Sequence, residues 1–516
     1  MPGITNTQCH HCPAPCGLTR RQWLQGAPPA IAAAAVPFSA PQASAGPARQ
    51  MPIRRPLSVQ PILIYGLHPR RPATSYRPWG GLMTEADIAE ERERIGRELA
   101  NASARAGFPL EFKPLAAVTS PEQAAAAAQG SHDAVLLYAA SGSLKALEAA
   151  SAAKPWNLMF VRHRSGPVYL WYEIAHPRFL RKTVDAFGQP GMGVDDVVVD
   201  RYDELLSRFR SLAALKNTLG KRIVAVGGPS GWGEGGRRAP EIARNLWNLE
   251  IQTVTYDDLG RRIARALENK TLVSRSRDMA GRYLQSPGVT LETERGFVDN
   301  AFLLREVFQD LLNEAQTDAI TINNCMSTIM PMSKTTACMP LSLLNDAGYM
   351  AFCESDFVVV PSGILLHYLS GKPVFLNDPT YPHDGIVTLA HCTAPRRMDG
   401  VTDEPVRILT HFESDYGAAP KVEMARGRTV TNLIPDFDCK KWVGFRGEIV
   451  DAPFLPICRS QIDVTIQGDQ DRLLRETGGF HWMTGYGDDL KETGYALEKL
   501  GVHLVNLSRT AATTVS

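Results

Sequence analysis

The sequence predicts an α/β protein made of two Rossmann-like doubly wound domains followed by a smaller β-rich carboxyl-terminal domain. Three observations carry this prediction. Apolar runs of strand length alternate with helical stretches up to about residue 384. A strand, a glycine-rich turn, an amphipathic helix and a second strand follow one another between Arg222 and Tyr256. Beyond residue 385 the texture changes to short β-prone runs separated by Gly, Pro and Asp. The length, 516 residues, also exceeds what one hydrophobic core usually organises.

Residues 1–45 read as an address rather than as structure. Thr19-Arg20-Arg21-Gln22-Trp23-Leu24 is followed by an Ala-rich, weakly apolar region and then by Ala43-Ser44-Ala45, an order that resembles a twin-arginine export leader. It predicts a periplasmic or extracytoplasmic protein, cytoplasmic if the leader is not functional. Cys9, Cys12 and Cys16 fall within this segment, with His10 and His11 between them, and lack a second ligand pair at zinc-finger spacing. Residues 46–60 read as a Pro/Arg linker.

The amino-terminal α/β domain is assigned to residues 61–215, with strands at Pro61–Gly66, Ala134–Tyr138 and Asn157–Val161 and a helix over Glu85–Ala106. The second α/β domain, 216–384, opens on strand Arg222–Val226. Its first helix gathers Ala239, Ile242, Ala243, Leu246 and Trp247 on one face, and strand Ile251–Tyr256 follows. A helix over Phe297–Glu314 leads to strands at 318–322, 349–353 and 373–376. Residues 385–516 form the β-rich domain, with strands near Ile386–Leu389, Thr429–Leu433 and Ile462–Ile466. It closes on a helix, Asp489–Leu500, and a strand, Val502–Leu507.

Composition narrows the function. Lys and Arg number 55 against 54 Asp and Glu, so the chain lacks the basic excess of a nucleic-acid binder. No segment offers the run of about 18 apolar residues that a membrane-spanning helix needs. The later cysteines, Cys325, Cys338, Cys353, Cys392, Cys439 and Cys458, sit largely in apolar runs and read as buried thiols.

Functional side chains of open α/β sheets collect at the carboxyl ends of strands. Glu354, Asp378 and His391 each follow or end a predicted strand. Two carboxylates and an imidazole suit Mn²⁺ or a similar divalent cation better than a structural zinc, which prefers thiolates. An acid in that position also serves to cap the following helix.

Cys353-Glu354-Ser355-Asp356, Ser370-Gly371-Lys372-Pro373-Val374-Phe375-Leu376-Asn377-Asp378, Leu389-Ala390-His391-Cys392 and Gly478-Gly479-Phe480-His481 occur in this order. Together with Glu448-Ile449-Val450 and Cys458-Arg459-Ser460-Gln461, they resemble the carboxyl-terminal half of the L-fucose and L-arabinose isomerases over about residues 320–507. The resemblance implies aldose-ketose isomerisation of a small sugar, with Mn²⁺ or another divalent cation held by Glu354, Asp378 and His481, and with His391 as a further ligand. It makes Glu354 and Asp378 the catalytic acids and implies a homo-oligomer, a trimer or hexamer. Trp482 follows His481 where arabinose-type sequences commonly carry a second histidine. Arg77, Trp79, His383, Arg459 and Trp482 are candidate sugar contacts, the tryptophans as stacking platforms.

One competing motif stands in the second domain. Gly231-Trp232-Gly233-Glu234-Gly235-Gly236 satisfies G-x-G-x-x-G, and Asp257 follows near the end of the second strand. That spacing fits an NAD(P)-dependent sugar oxidoreductase, whereas the preferred reading assigns no nucleotide-binding residues. The third alternative is a non-catalytic periplasmic sugar-binding protein, since paired α/β lobes also serve receptors.

Overall fold

Leu57–Ile64 is an apolar run buried along nearly its whole length, as the central strand of a parallel sheet covered on both faces must be. It heads the computed structural model, which describes residues 54–182 and 188–508. The predicted leader and its cysteines lie outside the described residues. Leu110–Phe112 and Ala116–Val118 pair with the two ends of this strand, and Ala134–Ala139, Asn157–Val161 and Val197–Val199 extend the sheet on the other side, all parallel. The predicted linker 46–60 is therefore too long at its end: Leu57 to Gln60 already belong to the strand.

The first helix, Glu85–Arg105, starts where the sequence predicts because Thr84 and Asp87 cap each other reciprocally. Its Ile88, Ile95, Leu99 and Ala102 face the sheet. Glu91, on the same helix, is fully buried yet paired: Arg162 Nε lies 2.6 Å from its Oε1, and the Tyr169 hydroxyl donates to it at 2.5 Å. The other end of the Arg162 guanidinium reaches Glu98 at 2.6 Å. Helix Tyr202–Thr218 closes this unit and overruns the predicted boundary at residue 215.

The second sheet has the order Met350–Phe352, Ala319–Ile322, Arg222–Val226, Glu250–Val254, and every pairing is parallel. Helices Ala239–Leu246, Tyr256–Glu268 and Arg295–Glu314 accompany it. Asp257 thus stands in the first turn of a helix rather than at a strand end, because the strand stops at Val254 and Thr255 caps the helix.

In the third region Thr429–Pro435, Trp482–Tyr486, Val374–Pro379, Ile386–His391, Ser460–Thr465 and Lys441–Asp451 pair antiparallel in that order. Thr429–Pro435 then pairs with Lys441–Asp451, closing a barrel-like sheet. Closure removes the free edges that such a sheet would otherwise expose. His503–Asn506 adds on the outside, parallel to Lys441–Asp451. Val374–Pro379 therefore belongs to the barrel and not to the second α/β domain, as the 216–384 assignment had it. Its apolar run, buried at Val374 through Asn377, suits either sheet equally. A small sheet of Val289–Leu291, Val406–His411 and Tyr416–Val422 joins the second region to the third.

Helix Leu490–Glu498 returns to helix Tyr202–Thr218, where Ser207 donates to Glu492 at 2.6 Å and Tyr495 to Asp196 at 2.5 Å. None of the helices among the described residues is long and apolar enough to cross a membrane.

Arg162 and Glu91 are both removed from water, and Arg162→Met leaves the buried Glu91 carboxylate with Arg94, 2.6 Å from its Oε2, and the Tyr169 hydroxyl as its remaining partners. Stability should fall by about 1 to 3 kcal/mol, read from the denaturant midpoint, with the metal content of the folded protein unchanged. A loss below about 1 kcal/mol, the range of exposed ion pairs, would show the pair to be solvated.

Candidate metal centre

Glu354 leaves the end of strand Met350–Phe352 with φ of 64°, and Ser355 follows at φ of 48°. Consecutive non-glycine residues in left-handed conformation each cost on the order of 1 to 3 kcal/mol and persist only where neighbours over-determine them. The neighbours here belong to the glycine-rich turn. The Ser230 amide donates to the Ser355 carbonyl at 3.0 Å, and the Phe357 amide donates back to the Ser230 carbonyl at 3.0 Å. The next side chain, Asp356, is buried and accepts from the Trp232 amide at 3.2 Å and the Val358 amide at 3.0 Å through Oδ1.

Asp356 Oδ2 faces His481 Nδ1 at 2.7 Å. This fixes the ring, so that Nε2 points to Glu354 Oε2 at 3.3 Å and to Asp378 Oδ1 at 3.2 Å. His391, the last residue of its barrel strand, brings Nε2 to 3.9 Å from Glu354 Oε1, while the Thr393 hydroxyl engages its Nδ1 at 3.1 Å. Asp378, His391 and His481 each offer a ligand atom, and all three atoms lie within 4.8 Å of one another. One α/β strand end and three barrel positions thus bring together the predicted ligands Glu354, Asp378, His391 and His481.

This donor set fits a divalent cation. Apart from the ion-pair contacts within the cluster, the buried His481 Nε2 and Asp378 Oδ1 have no hydrogen-bond partner, although buried polar atoms ordinarily find partners. The carboxylate behind His481 and the hydroxyl behind His391 are the supports that orient imidazole ligands. Carboxylate and imidazole donors suit a divalent cation, and Cys353 lies with Glu354 and His391 in a second group of potential ligands. Both imidazoles are buried, whereas the Glu354 side chain is 45% exposed, so the acids border the opening.

The charges within the cluster are strongly coupled. Burial alone would lower His481, but its contacts with Asp356 and Glu354, with Asp378 adding, push it up to about 10. His391 is also raised against its burial by Glu354 and Asp378. Burial would raise the Glu354 carboxyl, yet the two imidazoles hold it well below the usual carboxylate range. Asp378 goes the other way, raised chiefly by burial.

The glycine-rich turn forms a wall of this site. A Cβ on Gly231 would run into the Gly236 carbonyl, and one on Gly235 into the Phe437 ring, so these glycines permit the turn to fold on itself. The Trp232 amide is engaged by Asp356. The Trp232 ring stacks on Phe480, with centroids 3.9 Å apart and planes 13° from parallel, and meets His481 edge-on at 6.5 Å. Trp232 remains 45% exposed beside the metal cluster. Asp356 and Trp232 border the candidate site and are not among the residues predicted for it; the signal lay in an acid two residues beyond Glu354 and in a bulky residue inside a glycine turn.

Other predicted contacts lie elsewhere. Trp482 is buried against Phe445, because both faces of its barrel strand are covered, and cannot stack on a ligand. Arg459 donates to the Thr410 carbonyl at 2.7 Å and to its hydroxyl at 3.1 Å, which fits the structural side of the predicted role. His383 is exposed in the turn before Ile386 and pairs with Asp384 at 3.1 Å. Arg77 and Trp79 occupy an exposed loop after the first strand, Trp79 at 61%. Among the described residues no hydrogen bond, ion pair or ring contact joins either to the metal ligands.

Loss of the carboxylate support in Asp356→Asn should weaken divalent-cation affinity by about 10- to 100-fold, measured by competition with a chelating dye; unchanged affinity would remove Asp356 from the site. Metal binding should also release a proton from His481. Its folded value is raised, so in the metal-free protein its contribution to stability is full below the unfolded value of about 6.5 and is lost as pH rises through about 10. Cation affinity should correspondingly climb by about tenfold per pH unit through the neutral range. Calorimetry in buffers of different ionisation enthalpy checks this, and binding without proton uptake by the buffer would contradict it.

No protein-family model matches the chain, and no curated protein matches it significantly.

Proposed function

We propose that the chain is a metal-dependent aldose-ketose isomerase that interconverts the two sugar forms through an enediolate, with Mn²⁺ or another divalent cation. The observation that carries this reading is the convergence of Asp378, His391 and His481, with Glu354 beside both histidines, and with His481 Nε2 and Asp378 Oδ1 buried without a hydrogen-bond partner outside the cluster. The resemblance of residues 320–507 to the L-fucose and L-arabinose isomerases adds to it. When bound, the cation supplies Lewis acidity, polarising the carbonyl and adjacent hydroxyl of an open-chain sugar and stabilising the developing negative charge.

The chain's own residues supply the proton transfer. A carboxylate takes the proton from C2, the C–H electron pair becomes the C1–C2 double bond, and the same proton returns at C1 as the hydroxyl proton shifts between O2 and O1. Glu354 and Asp378 both border the opening from which a sugar enters. A carboxylate held tightly by a cation is a weaker base, so the one that moves the proton is the one coordinated more loosely. His481 is held in one orientation by Asp356 and reaches both acids through Nε2. The Trp232–Phe480 pair offers an apolar face at the rim for the carbon chain of the sugar.

In the same reading the two parallel sheets are Rossmann-like units without a nucleotide, and the protein assembles as a trimer or hexamer. It is exported folded, with its metal already loaded. The glycine turn favours this reading over an NAD(P) oxidoreductase, because its amide and ring serve the acid loop and His481.

Glu354→Gln should abolish isomerisation and metal retention while leaving the melting temperature of the metal-free protein within a few degrees of the parent. The assay follows aldose-to-ketose conversion with Mn²⁺, together with solvent deuterium entering C1 or C2. Full activity in this variant would sink the proposed site.

A further inference from the structure

Behind the metal cluster lies a second set of metal-ligating side chains that the isomerase reading does not use. Cys338 opens helix Cys338–Asp346, Cys392 directly follows the strand that ends in His391, Cys458 precedes strand Ser460–Thr465, and His411 ends strand Val406–His411. Four separate segments deliver them to one place. The ligand atoms of Cys338, Cys392 and His411 all lie within 4.8 Å of one another. The Cys392 thiol packs against both Cys338 and Cys458.

The surroundings are those of a thiolate site. Cys338 and Cys392 are buried beside Ala419, with Cys458 packed against them. The Arg459 amide donates to the Cys392 sulfur at 3.4 Å, the kind of support that a thiolate ligand receives. His411 Nδ1 is engaged by the Ser414 hydroxyl at 3.1 Å, which leaves Nε2 for a cation. The Arg459 guanidinium, bonded to Thr410, ties the Cys458 loop to the strand end that carries His411.

We propose that Cys338, Cys392, Cys458 and His411 form a second cation site, selective for a soft ion such as Zn²⁺. Thiolate and imidazole donors select such ions where carboxylates select harder ones. Zn–S bonds of about 2.3 Å in a tetrahedron place sulfurs about 3.8 Å apart, so Cys338, Cys392 and His411 need to contract by no more than about 1 Å from their 4.8 Å limit, with Cys458 moving in from beside them. Successive side chains along a strand turn to opposite faces. His391 therefore serves the hard site and Cys392 the soft one, and the site stands independently of any sugar chemistry.

The test is a Co²⁺ titration of the full chain, reduced, stripped of metal and carrying Glu354→Gln to remove the hard site. Thiolate-to-cobalt charge-transfer absorption and intense tetrahedral d–d bands should appear, be displaced by Zn²⁺, vanish in Cys392→Ala and Cys338→Ala, and persist in Cys353→Ala. Near-ultraviolet circular dichroism establishes that each variant is folded, and His411→Gln, at a half-buried position, replaces any cysteine variant that is not. It should shift the charge-transfer and d–d bands and weaken binding. Absence of a thiolate band in the parent, its persistence in folded Cys392→Ala, or its loss in Cys353→Ala would overturn the proposal.

Discussion

The Asp356 carboxylate is the point on which the geometry of the candidate site depends. One oxygen receives two backbone amides, from Trp232 and Val358, and the other faces Nδ1 of His481. A buried carboxylate is tolerated only when such partners satisfy it, and each partner here fixes something else. The Trp232 amide folds the glycine turn onto the acid loop and so sets the aromatic wall. The His481 contact chooses which ring nitrogen turns toward Glu354 and Asp378. The same loop holds Glu354 in a backbone conformation it would not adopt alone.

The ligands divide the site into two sides with different electrostatic character. His391 and His481 are buried, and each is braced from behind by a hydroxyl or a carboxylate. Glu354 and Asp378 stand nearer solvent. A cation placed between them would be approached by a polar substrate only from the carboxylate side, with the Trp232–Phe480 stack bordering the way in. Braced imidazoles thus lie behind and the more exposed acids in front, an arrangement that would suit the proposed proton transfer.

Much of this was legible in the sequence, and what was not has a physical reason. Strand ends are visible as apolar runs that stop at a charged residue, which is how Glu354 and His391 stand out. Thr84 and Asp87 mark a helix start because capping is local. Which sheet accepts a strand is not local, and Val374–Pro379 reads the same whether it pairs in a parallel sheet or a barrel. Trp482 has the chemistry of a stacking platform, but strand Trp482–Tyr486 is covered on both faces and turns it into core. Asp356 and Trp232 escaped because their contacts cross more than 100 residues of chain. The six later cysteines read singly as buried thiols, and all remain free. Only the fold reveals that three of them meet.

The closed barrel has a consequence for how the protein gains and loses its structure. Glu354 comes from the end of a parallel sheet, and the acid next to it meets a histidine 125 residues further on, on a barrel strand that also pairs with Val374–Pro379. Contacts of such sequence separation form late, after the entropy of closing a long loop has been overcome. A cation gripped from both sides would then act as a reversible cross-link, absent from the early stages of folding and from the transition state. Interactions of that kind slow unfolding without hastening folding. The candidate metal centre would thereby govern the lifetime of the native state, and chelation would shorten it long before any element of secondary structure had changed.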